Sequence, residues 1–130
     1  MAIIWLEKRE VVHFHKELIA EHGGLQGLPG EGTLESTLAR PQNVLAYEPE
    51  CSLFRLAASY GYGFARNHCF PDGNKRVALI SITVFLLSNG YELVASEVDA
   101  LVTIRSVAAG DMDEQELSAW IESNSVKIDE

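Results

Sequence analysis

Apolar residues along this chain recur mainly at helical spacing, and the breaks between them carry glycine, proline or a capping side chain. From about Glu7 to His22, Val11, Val12, Phe14, Leu18 and Ile19 share one side, with Lys16 and Glu17 opposite. That pattern predicts a helix stopped by Gly23-Gly24. Residues 3–6, just before it, form a short apolar opener, either one strand or a packed arm. Residues 23–32 hold five glycines and Pro29 and read as a loop. Thr33 is expected to cap a short helix over 34–40, ended by Pro41. Residues 41–49 then read as irregular, with room for a short hairpin through Val44, Leu45 and Tyr47.

Ser52 predicts the cap of a further helix, with Leu53, Leu56, Ala57, Tyr60 and Phe64 as its core face. Gly61 and Gly63 weaken that helix by roughly 1 kcal/mol each unless something packs closely against them. The most apolar stretch follows, a helix over 74–88 that is hydrophobic all round, hence central, and closed by Asn89-Gly90. Residues 91–95 make a short, extended-capable linker. Ser96 caps a helix through Val98, Leu101, Val102, Ile104, Arg105 and Val107 that ends at Gly110. Asp113 caps the last helix, over 114–122, with Leu117, Trp120 and Ile121 inward; the tail from Ser123 is expected to fray. The pattern predicts an all-α bundle, residues 1–130 as one domain, around one apolar helix.

Directly ahead of that helix stands His68-Cys69-Phe70-Pro71-Asp72-Gly73-Asn74-Lys75-Arg76. A polar loop feeding a buried helix leaves backbone N–H groups unpaired at its edge, and with the positive end of the helix dipole they suit a phosphate. His68 would serve as general base. Asp72 offers oxygens to Mg²⁺, which arrives with nucleotide phosphates and takes few protein ligands. Gly73 admits a phosphate close to the backbone, and Asn74 either bonds a phosphate oxygen or caps the helix. Lys75 and Arg76 would offset charge on a phosphoryl group in transfer, and Arg66 is a further cation within reach. Taken singly, each has a plain alternative: a packed histidine, a turn, a cap, a solvated cation. Phe70 reads as an anchor and Cys69 as inert. There is no Walker A spacing, and His68 and Asp72 lack the companions zinc requires. His13 and His15, two apart on a helix, make a poor metal pair and read as surface or packing residues.

Composition narrows this further. With 47% hydrophobic and 22% charged residues, the chain has globular values. Its two cysteines, Cys51 and Cys69, suggest a reducing compartment without a disulfide frame. No signal segment is visible, and the longest apolar run is far short of a membrane span, so a cytoplasmic protein is expected. A net charge of −9 argues against nucleic-acid binding. Residues 91–130 hold ten acidic and two basic side chains, whereas residues 1–90 hold nine and eight. An anion is therefore repelled by the C-terminal part and tolerated or attracted at the motif, where Arg66, Lys75 and Arg76 cluster.

The motif resembles the core pattern of the Fic/Doc superfamily in its death-on-curing branch, H-x-F-x-D/N-A/G-N-K-R, at every fixed position. Similarity to that branch extends to His22-Gly23-Gly24-Leu25-Gln26-Gly27, Leu34-Glu35-Ser36-Thr37-Leu38-Ala39-Arg40-Pro41, Ala65-Arg66-Asn67 and Phe85-Leu86-Leu87-Ser88-Asn89-Gly90-Tyr91. The resemblance implies a compact helical Fic fold with the motif between two central helices, and a flap, placed at residues 41–49, that aligns a target backbone by strand addition. It implies His68 as base, Asp72 as the Mg²⁺ ligand, and Gly73 and Asn74 in the anion-binding turn. AMP-transferring members carry glycine where this chain has Lys75 and a second arginine where it has Leu79. Members sharing these departures are kinases that pass the γ-phosphate of ATP to elongation factor Tu and arrest translation. Such toxins are usually covered by a small antitoxin of the prevent-host-death type. The alternatives are an AMP-transferase on the same fold and a catalytically idle binding module.

Overall fold

The computed structural model describes residues 2–30 and 32–128. The order of elements is α1 (Lys8–His22), α2 (Thr33–Tyr47), α3 (Leu53–Arg66), α4 (Asn74–Ser88), β1 (Tyr91–Leu93), α5 (Glu97–Ala109), α6 (Glu114–Ser123) and β2 (Ser125–Lys127). Local chemistry accounts for most boundaries. Glu7 and Glu10 form a capping box at the start of α1. The hydroxyls of Ser52 and Ser96 accept the backbone N–H of Arg55 and Asp99, each at 3.1 Å, and Asp113 accepts that of Glu116 at 2.7 Å. The all-α architecture holds, and no helix among the described residues is long and apolar enough to cross a membrane.

Helices α3 and α4 occupy the centre. From Leu56 to Ala65, α3 is buried at every position except Tyr62, and it packs on α2, α4, α5 and α6. Two glycines that propensity counts against it are there for contact. A Cβ on Gly61 would stand 2.4 Å from Ile82 Cδ1, and one on Gly63 would stand 2.9 Å from Thr37 Cγ2. α4 presents Val77, Ala78, Ile82, Phe85 and Leu86 to the core and packs on α1, α3 and α5.

Three expectations need correction. Pro41 does not end a helix: α2 runs through it to Tyr47, so neither a hairpin nor a flap exists at residues 41–49. Proline cannot donate to the carbonyl one turn back. Here, however, Pro41 is buried, and Val44 and Leu45 beyond it pack on the core, so tertiary packing outweighs the lost bond. Gly32, rather than Thr33, is the N-cap of α2. The tail does not simply fray: β2 pairs antiparallel with β1, Tyr91 opposite Lys127 and Leu93 opposite Ser125. Asp129 and Glu130 lie outside the described residues. Residues 3–6 are a packed arm, held where Ile4 exchanges two 2.9 Å hydrogen bonds with the Asn89 side chain and Leu6 N–H donates to Tyr60 Oη at 3.1 Å.

Candidate active site

Between the central helices, residues 67–73 reverse the chain. Asn67 caps α3, and its side-chain amide donates to Thr37 Oγ1 at 3.0 Å. His68 follows at φ 50°, the left-handed region that non-glycine residues seldom enter. Such a conformation stores on the order of 1–3 kcal/mol. The reversal leaves the His68 imidazole exposed while Cys69 and Phe70 go into the core. Cys69 Sγ lies 3.3 Å from Thr37 Oγ1, and burial pushes its thiol pKa up, which suits an inert packing residue.

Phe70 is the loop's anchor. Its ring stacks on His15, with centroids 4.0 Å apart and planes 8° from parallel. Asn74 closes the loop by bonding both backbone groups of Phe70: Oδ1 accepts its N–H at 3.0 Å and Nδ2 donates to its carbonyl at 2.9 Å. The Asn74 side chain is therefore occupied in shaping the turn. Gly73 is the N-cap of α4 at φ 80°, a left-handed conformation that favours glycine, and a Cβ there would also press on Ile19 Cδ1 at 3.1 Å. No side chain caps α4, and the N–H groups of Asn74, Lys75 and Arg76 have no acceptor among the described residues.

Asp72 is held from three directions. Its Oδ1 accepts Gly73 N–H at 2.9 Å, its Oδ2 accepts Leu25 N–H at 3.2 Å, and its backbone carbonyl accepts from His15 Nε2 at 2.9 Å. The Leu25 bond shows that the glycine-rich segment 23–30, rather than 41–49, lies along the motif. Gly30 N–H also donates to the carbonyl of Cys69 at 2.7 Å.

A cavity of about 460 Å³ opens on this loop, lined by His68, Asp72, Gly73, Asn74 and Lys75, with Arg105 of α5 opposite. Five of the residues singled out from sequence thus share one hollow. Arg66 does not line it, and Arg76 lines instead an adjoining hollow of about 300 Å³ that it shares with Asp72, Gly73, Asn74 and Lys75. The Arg66 guanidinium donates to the carbonyl of Val107 at 3.0 Å and lies over the Tyr62 ring. Arg76 turns to Glu97 at 3.4 Å, beside a separate groove of about 330 Å³ lined by Leu18, Leu79, Ile80 and Leu93.

His15 packs, as one of the two readings of it allowed, but sequence reasoning missed its bond to Asp72 and the place of Arg105 in the cavity. His15 follows Val11 and precedes Ile19 at four-residue steps, a signal of its inward face. Arg105 carried no such signal. Asp72 is the sole carboxylate lining the cavity, and no three His, Cys, Asp or Glu among the described residues group to hold a metal. That donor set fits a Mg²⁺ carried in on a polyphosphate and gripped by one carboxylate, not a closed protein cage.

A family model, described as Fic/DOC family, matches residues 5–86, from before α1 through nearly all of α4 and including the whole motif loop. The chain belongs to the Fic/DOC family. Among its Fic/DOC relatives, the "Protein kinase doc" of Escherichia phage P1 is 36% identical over 99 residues, covering 76% of this chain and 79% of that protein. The "Toxin Doc" of Mycolicibacterium smegmatis (strain ATCC 700084 / mc(2)155) is 36% identical over 100 residues, covering 75% and 77%. The Fic/DOC match stops before α5, so Arg105 lies beyond the part of the chain that the family model describes.

Proposed function

We propose that the chain is a Doc-type toxin kinase that moves the γ-phosphate of ATP onto a hydroxyl of a translation factor, elongation factor Tu, and so arrests translation and growth. One observation carries the reading: an exposed imidazole, a carboxylate and a lysine line a single cavity at the N-terminus of α4, which no side chain caps. The relatives named as a kinase and as a toxin support it.

In this reading His68 accepts the proton of the target hydroxyl as that oxygen bonds to the γ-phosphorus. The bond from that phosphorus to its bridging oxygen breaks, and ADP leaves. Mg²⁺, when bound at Asp72 with the nucleotide, neutralises phosphate charge. The backbone at Gly73 and the free N–H groups of Asn74 and Lys75 hold a phosphate, and the Lys75 ammonium offsets charge on the transferring group. Arg66 serves the frame, tying α3 to α5, while Arg76, which also meets Glu97, stands beside the adjoining hollow as a further cation for the polyphosphate. A small antitoxin of the prevent-host-death type would act by covering the cavity, and the setting is the bacterial cytoplasm.

Intact-mass analysis of elongation factor Tu after incubation with the protein, ATP and Mg²⁺ tests this. Addition of one phosphoryl group, absent with His68→Ala, is expected. Addition of an AMP moiety would make the protein an adenylyltransferase instead. An unmodified target that still binds would make it an idle binding module.

A further inference from the structure

The wall of the motif cavity that faces the loop comes from α5, through Arg105, Ala108 and Ala109. Their spacing puts all three on one helix face. The two alanines keep that face shallow, so Arg105 alone extends a long side chain from it. Its charge runs against its surroundings. Only two cations occur in residues 91–130, among ten acidic side chains, and the other, Lys127, is in β2 away from the cavity. Arg66 and Arg76, nearer the motif in sequence, are committed to the Val107 carbonyl and to Glu97. Arg105 is exposed, and among the described residues its guanidinium has neither an ion-pair partner nor a hydrogen bond. The cavity therefore has two uncommitted cations, Lys75 on the loop side and Arg105 on the α5 side.

We propose that Arg105 is a phosphate-binding residue of this cavity, gripping a nucleoside polyphosphate from the side opposite the α4 N-terminus. A guanidinium presents a planar fork that fits two phosphate oxygens at once, which a lysine in its place cannot do. The placement also counters the negative field of the C-terminal part, which would otherwise repel the ligand at that wall. This inference rests on the nucleotide reading above and adds to it the residue that fixes where the polyphosphate ends.

Calorimetric titration with ATP and Mg²⁺, and separately with adenosine, tests it on the full chain. The variants are Arg105→Gln, Arg105→Lys and, as a charge-matched control, Lys127→Gln. Arg105→Gln should weaken ATP binding about tenfold, as expected for a lost charge-assisted contact. Adenosine binding should be unchanged, Arg105→Lys should recover part of the loss, and Lys127→Gln should match the wild type. An ATP affinity of Arg105→Gln within twofold of wild type would overturn the proposal. So would an equal loss for adenosine, which would mark a change of cavity shape rather than a phosphate contact. If the wild type itself takes up no nucleotide, the kinase reading fails, and this inference with it.

Discussion

His15 Nε2 donates to the backbone carbonyl of Asp72 at 2.9 Å, joining the middle of α1 to the turn that opens α4. Since a carbonyl only accepts, the proton must sit on Nε2. The same ring is 2% exposed and stacks on Phe70, so one residue fixes both the anchor of the loop and the carboxylate-bearing residue at its tip.

His15→Phe should keep the stacking and lose the bond, leaving the Asp72 carbonyl without its donor. Stability should fall by about 1 kcal/mol, and the transfer rate by about tenfold, the scale on which a slightly misplaced group costs rate. His15→Gln, which restores a donor near the same point, should recover much of the rate. Thermal unfolding and kcat measured on both variants check this. Equal rates for the two would show that the bond does not position the loop.

If His68 is the base, as proposed, catalysis and stability should separate at this residue. Glycine adopts φ 50° without the penalty histidine bears. His68→Gly should therefore unfold at a temperature close to that of the wild type while transfer falls by about 10²–10⁴. A variant that loses stability in parallel with activity would contradict the assignment of His68 to chemistry.

Gly61→Ala would normally favour a helix by about 0.5–1 kcal/mol. At this position the new methyl would meet Ile82 Cδ1 at 2.4 Å and Cγ1 at 2.9 Å inside a closed core. Overpacking costs about 1–3 kcal/mol. Denaturant unfolding should accordingly show a net loss, and a gain would mean that α3 and α4 are less closely engaged than described.

How far the sequence foretold this arrangement can be traced residue by residue. Ser52, Ser96 and Asp113 cap the helices assigned to them because capping is local chemistry, readable within four residues. Gly73 was legible for the same reason, whereas Asn74, expected to bond a phosphate or cap α4, instead spends its side chain on the two backbone groups of Phe70. Pro41 was misread because its local rule is overridden by burial, which depends on helices distant in sequence. β2 was missed because its partner lies more than thirty residues away and neither three-residue strand has a pattern of its own. Arg66 and Arg105 show the limit for the site itself. Proximity in sequence favoured Arg66, but its end of α3 leans on Val107, whereas the packing of α5 brings Arg105 to the cavity.

Tyr60 gives the fold an alkaline limit. Burial raises its pKa from 10.0 to about 12. The unfolded chain thus loses this proton first as pH rises. The contribution is intact below about pH 10 and is lost as pH climbs through 10 towards 12, on the order of 3 kcal/mol at most. Tyr60→Phe should be less stable at pH 8, having left Leu6 N–H unpaired, yet its stability should decline less steeply between pH 10 and 12. Parallel declines in the two proteins would show that Tyr60 does not set the limit.

The most direct test of the central claim is to supply elongation factor Tu, Mg²⁺ and the protein with ATP labelled either at the γ-phosphate or at the α-phosphate, and to ask which label becomes covalently attached to the target. Transfer of the γ label alone, lost with His68→Ala and on chelation of Mg²⁺, is the predicted result. Transfer of the α label, or of neither, would contradict it.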